Sequence, residues 1–391
     1  MLKHLLLGLA LTSSLCTAAL AQEPKMGGMI NAVIQPEPPG LMLAQIQNGP
    51  TQMVSGNIFE GLLRYDQKLV PQPGLAESWT VSEDAKTYTF KLKPGVTWHD
   101  GKPFTSADVL FSIEMLKQTH ARARNNMVQV DKVTAPDDLT VVFTLKQPFG
   151  PFLGIFEVGS MPMIPKHLYE GTDYKTNANN NAPIGTGPFM FKEWKKGSFI
   201  RLVKNPNYHV KGKPYLDEIY WQIIPDAAAR AVAYETGKVD VLTGGSVDVY
   251  DVERLSKLPN SCMTTKGWEM FAPHAWLTPN VRNGILGNKQ FRQGLMYAID
   301  REFGKDVVWG GLGKLPTGPI SSKTKFYSAE VPKYGYDVAK AKELIKASGY
   351  KGEPLKILAL PYGEVWSRWA EAIKQNFADA GINVSIETTD V

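Results

Sequence analysis

The strongest constraint in this chain is a change of periodicity near Trp268. Before it, apolar residues alternate with polar ones; after it, helical stripes alternate with short apolar runs. Thr87–Leu92 sets the first pattern. Tyr88, Phe90 and Leu92 point one way, while Thr87, Thr89 and Lys91 point the other, which is the period of a half-buried strand. Asp137–Lys146 and Phe189–Val203 continue in the same manner. In the second part, Phe291, Leu295, Ile299 and Phe303 recur four apart and predict one helix over 288–303. Asp337 stands where an N-cap belongs and Gly349 where a helix stops. A strand at 355–360, a helix over about 364–380, Gly381 as its terminator and a strand at 382–387 complete the pattern. Strand, helix, strand in that order is a parallel unit, so the C-terminal portion reads as an α/β lobe.

Met1–Ala21 follows other rules. A basic start (Lys3, His4), an apolar run from Leu5 to Leu15 and the small-residue end Ala19–Leu20–Ala21 match a secretory signal peptide cleaved after Ala21. Thr12, Ser13 and Ser14 interrupt the run, which is too short to span a bilayer. A lipoprotein would acylate Cys16, but Leu15 occupies the position where a small residue is needed. Removal of 1–21 leaves about 370 residues, enough for two or three lobes. Cys16 leaves with the leader and Cys262 stays alone, so no intrachain disulfide forms and stability must come from burial. A large exported protein without disulfides fits a periplasm. Loss of Lys3 lowers the formal net charge from +5 to +4, and no Lys/Arg stripe exists to bind nucleic acid.

Several stretches resemble chemistry. In Val96–Val109 (VTWHDGKPFTSADV), His99 adjoins Asp100, with Thr105 and Ser106 nearby. Each also has a local structural role. Asp100–Gly101 is a tight-turn dipeptide, and Thr105 to Asp108 is a capping box before the apolar helical face of Val109, Ile113 and Leu116. No two histidines after the leader lie three to five residues apart, so no zinc pair is visible. The stretch 244–248 (GGSVD) lacks the second glycine of a nucleophile elbow, and no dinucleotide fingerprint or P-loop occurs. No cofactor is expected. Aromatic and amide side chains in expected loops, among them Trp98, Trp268, Trp276, Tyr362, Trp366, Trp369, Gln47 and Asn48, suit a pocket that holds a polar organic ligand.

Gly74–Val109 (GLAESWTVSEDAKTYTFKLKPGVTWHDGKPFTSADV) strongly resembles the signature of the family 5 extracellular solute-binding proteins, receptors of peptide, nickel and related ABC importers. Further motifs follow the family in order: 57–66 (NIFEGLLRYD), 183–194 (PIGTGPFMFKEW), 203–209 (VKNPNYH), 237–241 (GKVDV), 291–302 (FRQGLMYAIDRE) and 377–387 (FADAGINVSIE). The resemblance implies a type II periplasmic-binding-protein-like α/β fold of two lobes closing on ligand, plus an extra β-rich subdomain. Residues 22–56 and 184–266 would form lobe I, 57–183 the extra subdomain, and 267–391 an incomplete lobe II. Family members run on past Val391, so the chain is expected to be truncated C-terminally, without the acidic residue that grips a peptide's α-amino group. By motif register, Gln47, Asn48, Gly49, Thr243, Gly244 and Gly245 would line the cleft from lobe I, and His274, Trp276, Tyr362 and Trp366 from lobe II.

The function so implied is a monomeric periplasmic receptor that delivers a peptide or peptide-like solute to inner-membrane permease subunits. The alternatives are a receptor for a metal chelate, opine or sugar conjugate, an exported hydrolase, and a non-transport sensor.

Overall fold

The computed structural model describes residues 24–267, 274–282, 284–322, 324, 327–360 and 362–388. The expected leader 1–21, with Cys16, and Trp268 lie outside the described residues. Strand β1 (Met29–Val33) is followed by helix α1 (Gly49–Ser55) and by a short antiparallel ribbon of β2 (Leu63–Tyr65) and β3 (Pro71–Pro73). A second group comprises β4 (Ala76–Val81), β5 (Thr87–Leu92), α2 (Ser106–Thr119), α3 (Ala121–Asn126), β6 (Val130–Asp137), β7 (Thr140–Leu145) and α4 (Lys166–Tyr169). Its strands form one antiparallel sheet ordered β4-β5-β7-β6. The chain then returns to β1 through β8 (Phe189–Lys195), β9 (Phe199–Lys204) and β10 (Glu218–Gln222), giving the sheet β1-β10-β9-β8. In that sheet β10 runs parallel to β1, Met29 opposite Glu218. Helices α5 (Ala227–Glu235) and α6 (Val249–Ser256) complete this half.

The remainder holds α7 (Lys289–Ala298), α8 (Arg301–Phe303), α9 (Val338–Ala347), β11 (Leu355–Ala359), α10 (Glu364–Asp379) and β12 (Val384–Thr388). Strands β11 and β12 pair in parallel around α10, as the periodicity predicts. Asp337 caps α9 by accepting the Lys340 N–H at 2.8 Å, and Gly349 and Gly381 take the positive φ that ends α9 and α10. The single helix expected over 288–303 is instead broken at Ile299. Asp300 accepts the Phe303 N–H at 2.9 Å and starts a new turn, which leaves Phe303 exposed rather than on the stripe of α7.

Among the described residues burial falls into two large clusters and a small third one, Val33, Ala233 and Val239, under α5. One continuous apolar cluster runs from Ile34 and Leu41 through Phe90, Phe143, Phe152 and Phe156 to Leu202, and so underlies both four-stranded sheets. A second cluster holds Phe291, Leu295, Ile345, Ile373, Phe377 and Ile382 and shares no residue with the first.

Both sheets meet at a junction built on glycine. The Gly187 N–H donates to Ile58 O at 2.8 Å and the Phe189 N–H to Asn57 O at 3.0 Å, pairing 57–58 with 187–189. A Cβ on Gly187 would stand 2.6 Å from both the Asn57 and Ile58 carbonyl oxygens, and one on Gly185 would overlap Ile58 O outright. His99 clamps the same strand from the other sheet. Its Nδ1 accepts the Gly185 N–H at 3.2 Å, so its Nε2–H donates to Gly187 O at 3.0 Å. Asn205 adds a second donor to Gly187 O at 3.0 Å. Alongside, the buried Glu60 carboxylate accepts Tyr208 Oη at 2.9 Å and His209 Nε2–H at 2.9 Å, while Lys93 Nζ donates to His209 Nδ1 at 3.3 Å. His120 repeats the device of His99 within the second sheet's layer. Its Nδ1 caps α3 by accepting the Ala123 N–H at 3.0 Å, and its Nε2–H donates to Gly159 O at 3.2 Å.

Two outcomes follow. Gly185→Ala forces a methyl group onto a carbonyl oxygen and is expected to destabilise the fold by about 3 kcal/mol in urea unfolding. Gly154→Ala, which meets open space, should change it by less than about 0.5 kcal/mol. Burial pushes both His99 and His120 below the ordinary histidine range, His120 to about 4 from 6.5. The unfolded chain therefore binds more protons than the folded one between those values. Stability is full above pH 6.5 and falls as pH drops toward 4, a slope that His120→Asn should flatten in urea midpoints across that range.

Candidate functional site

The two apolar bodies approach each other along two loops, 243–248 before α6 and 362–364 at the start of α10. Gly245 and Gly363 both adopt positive φ, 80° and 114°, and a Cβ on Gly363 would lie 3.5 Å from the Gly245 carbonyl oxygen. The first loop is held from below by Arg230 of α5. This guanidinium is buried and donates to the carbonyls of Ser246, Ile224 and Pro225, the last two at 2.6 Å. Burial draws Arg230 below its ordinary pKa, while the carboxylates of Asp226 and Glu364 oppose the shift. Thr243 Oγ1 ties the loop to β1 through Val33 O at 3.2 Å, and the buried Ser246 hydroxyl has no hydrogen-bond partner.

Across the gap stands an aromatic cluster. Trp309 lies edge-on to Trp366 (centroids 5.9 Å apart) and to Trp369 (5.5 Å), and Trp369 packs where Gly304 has no side chain. Arg368 of α10 pairs with Asp248, the N-cap of α6, and with Glu364 at 3.1 Å. Arg368 holds the Asp248 carboxyl below the ordinary range, against a smaller opposing effect of burial. Tyr250 Oη donates to Val307 O at 2.9 Å.

The residues expected to line a cleft fall into three places. Thr243, Gly244 and Gly245 are brought to the junction with Tyr362 and Trp366, both half-buried there. Gln47, Asn48 and Gly49 form the N-terminus of α1. Asn48 Oδ1 caps it by accepting the Thr51 N–H at 2.9 Å, and Gln47 O accepts Gln52 Nε2 at 3.2 Å. His274 and Trp276 lie against each other, centroids 5.2 Å apart and rings tilted by 41°, in a segment without regular structure, Trp276 being exposed. Sequence reasoning missed Arg230, Asp248 and Arg368. Only the i,i+4 spacing of Glu364 and Arg368 could have drawn notice, because the other partners lie far apart in the chain.

His99 and Asp100 do not face each other. His99 serves the glycine junction, and Asp100 pairs with His167 at 2.6 Å on the opposite side of the turn. Gly101 takes φ 85°, and Trp98 N–H closes the turn onto Lys102 O at 2.8 Å. Asp108 accepts the Thr105 N–H at 2.9 Å and the Lys166 N–H at 3.0 Å. Among the described residues no group of three or more His, Cys, Asp or Glu side chains is placed to hold a metal ion, and no helix is long and apolar enough to cross a membrane.

Residues 70–391 match the family described as bacterial extracellular solute-binding proteins, family 5 middle, and the chain belongs to that family. The fold is accordingly that of the type II periplasmic binding proteins. A glutathione-binding protein of Pectobacterium atrosepticum is 29% identical over 344 residues, which make up 87% of this chain and 65% of that relative. The chain thus spans slightly less than two thirds of that protein's length. Among solved structures, the periplasmic binding protein DppA of Helicobacter pylori with a bound STSA peptide is similar at a TM-score of 0.83 and 28% identity, covering 94% of this chain and 75% of that one. NikZ of Campylobacter jejuni with Ni(L-His) gives a TM-score of 0.81 at 25% identity, covering 93% of this chain and 74% of that one.

Arg230→Gln withdraws charged donors from buried carbonyls and should lower stability by about 2 kcal/mol, measured by chemical denaturation. Amide exchange at 243–248 should rise with it.

Proposed function

We propose that this chain is the substrate-binding receptor of an ABC importer, capturing a peptide or peptide-like solute between two closing lobes and presenting it to permease subunits. Export through a cleaved leader to the periplasm belongs to the same proposal. So does the division into lobe I (22–56 and 184–266), the extra β-rich subdomain (57–183) and lobe II (267–391). The observation that carries it is the pair of separate apolar cores, meeting at a seam of loops, glycines and half-buried aromatic rings. Such a seam can part and reclose without exposing either core, and a ligand that touches both sides shifts the population toward the closed form. Backbone groups of the 243–245 loop would bond an extended ligand, with Tyr362 and Trp366 as its apolar wall. Family membership and the peptide and glutathione ligands named for its relatives favour a peptide-like solute.

Thermal-shift screening against di- to nonapeptides, glutathione, opines and nickel–histidine tests this. A true ligand at a hundredfold its Kd adds about 2.7 kcal/mol, a rise on the order of 5 °C in Tm. No stabilisation by any member of the panel would count against a receptor for this solute class.

A further inference from the structure

We propose that Asp248, Arg368 and Tyr250 form a reversible latch across the seam, so that the closed conformer is held by a switchable polar clasp as well as by ligand. The proposal rests on the receptor reading above and assigns its closure to particular side chains. Asp248 belongs to the loop anchored by Arg230, beside the small cluster of Val33, Ala233 and Val239, and Arg368 to the helix packed on the second core, so their ion pair bridges segments that pack on different clusters. Arg368 Nη1 also reaches Asp248 Oδ1 at 3.4 Å, and its guanidinium carbon lies 5.7 Å from the Tyr250 ring centroid. Tyr250, on the same turn as Asp248, donates across the seam to Val307 O at 2.9 Å. Val249 lies beside Gly310, where a Cβ would come within 3.6 Å of Val249 Cγ2.

What makes the clasp reversible is that each charged end has a second partner on its own side. When the lobes part, Arg368 retains Glu364, which lies one turn earlier on α10 at 3.1 Å. Asp248 retains its helix, accepting the Tyr250 N–H at 3.1 Å as N-cap of α6. Neither group is left without a hydrogen-bond partner, and Tyr250, already exposed, can bond water. Arg368 is 36% exposed and Asp248 17%, so the pair is partly screened and shifts the equilibrium about fivefold, enough to bias closure and too little to lock it.

Asp248→Asn removes the charge but keeps a good helix cap, which separates latch from fold. With Arg368→Gln and the double variant it forms a cycle, read by amide hydrogen exchange of the ligand-free chain at 245–251 and 363–369. Each single substitution should raise exchange about fivefold on both sides of the seam, and the double no further than either single. High salt should act on the wild type and little on the variants. Exchange that rises only on the substituted side, or effects that add in the double, would overturn the latch. Where glutathione or a panel peptide stabilises the wild type, Asp248→Asn should weaken its binding about fivefold. If nothing in the panel binds, the receptor reading fails while the exchange cycle still decides the latch.

Discussion

The close approach of two backbone segments, 57–58 and 185–189, is the contact on which the rest of the first body depends. It exists because Gly185 and Gly187 have no side chains to keep the strands apart. With those strands in register, the Asn57, Ile58 and Gly187 carbonyls are all used, and His99 and Asn205 arrive as donors from two further segments. A neutral histidine suits the task because it accepts at one nitrogen and donates at the other. Glu60, Tyr208, His209 and Lys93 add a satisfied polar network beside it, which a buried carboxylate requires. One apolar core then forms under both sheets.

This arrangement explains why the most recognisable motifs of the chain say little about ligand. The stretches around Glu60, His99, Gly185 and Asn205 converge on one junction, where geometry allows few residue types. The seam between the two bodies is built differently, from loop backbone, tryptophan edges and one bridging ion pair. Rigid support and adaptable contact are thereby separated. Arg230 connects the two, since it holds the 243–248 loop from a buried position while leaving its outer face free.

Much of the fold was legible because its signals are local. Strand alternation at Thr87–Leu92, the Asp100–Gly101 turn, the caps at Thr105 and Asp337 and the stops at Gly349 and Gly381 all act within a few residues. The break after Ala298 was not legible, because the stripe Phe291, Leu295, Ile299 and Phe303 continues through it; a single cap by Asp300 outweighed the pattern. Of the residues expected at a cleft, Gly245 approaches Gly363 on the loop that leads from Tyr362 to Trp366, Asn48 caps α1, and His274 lies against Trp276; spacing along the chain could not show which of these share a surface.

The amino-acid sequence alone determined the two textures, most element boundaries to within a few residues, and the family resemblance. Only the tertiary structure decided that His99 belongs to Gly185 and Gly187 rather than to Asp100, and that Asp248 meets Arg368 120 residues away. The reason is range. Periodicity, caps and turns are set by neighbours along the chain, but a hydrogen bond or ion pair between distant segments depends on how whole layers dock, and that depends on where close backbone approach is sterically allowed.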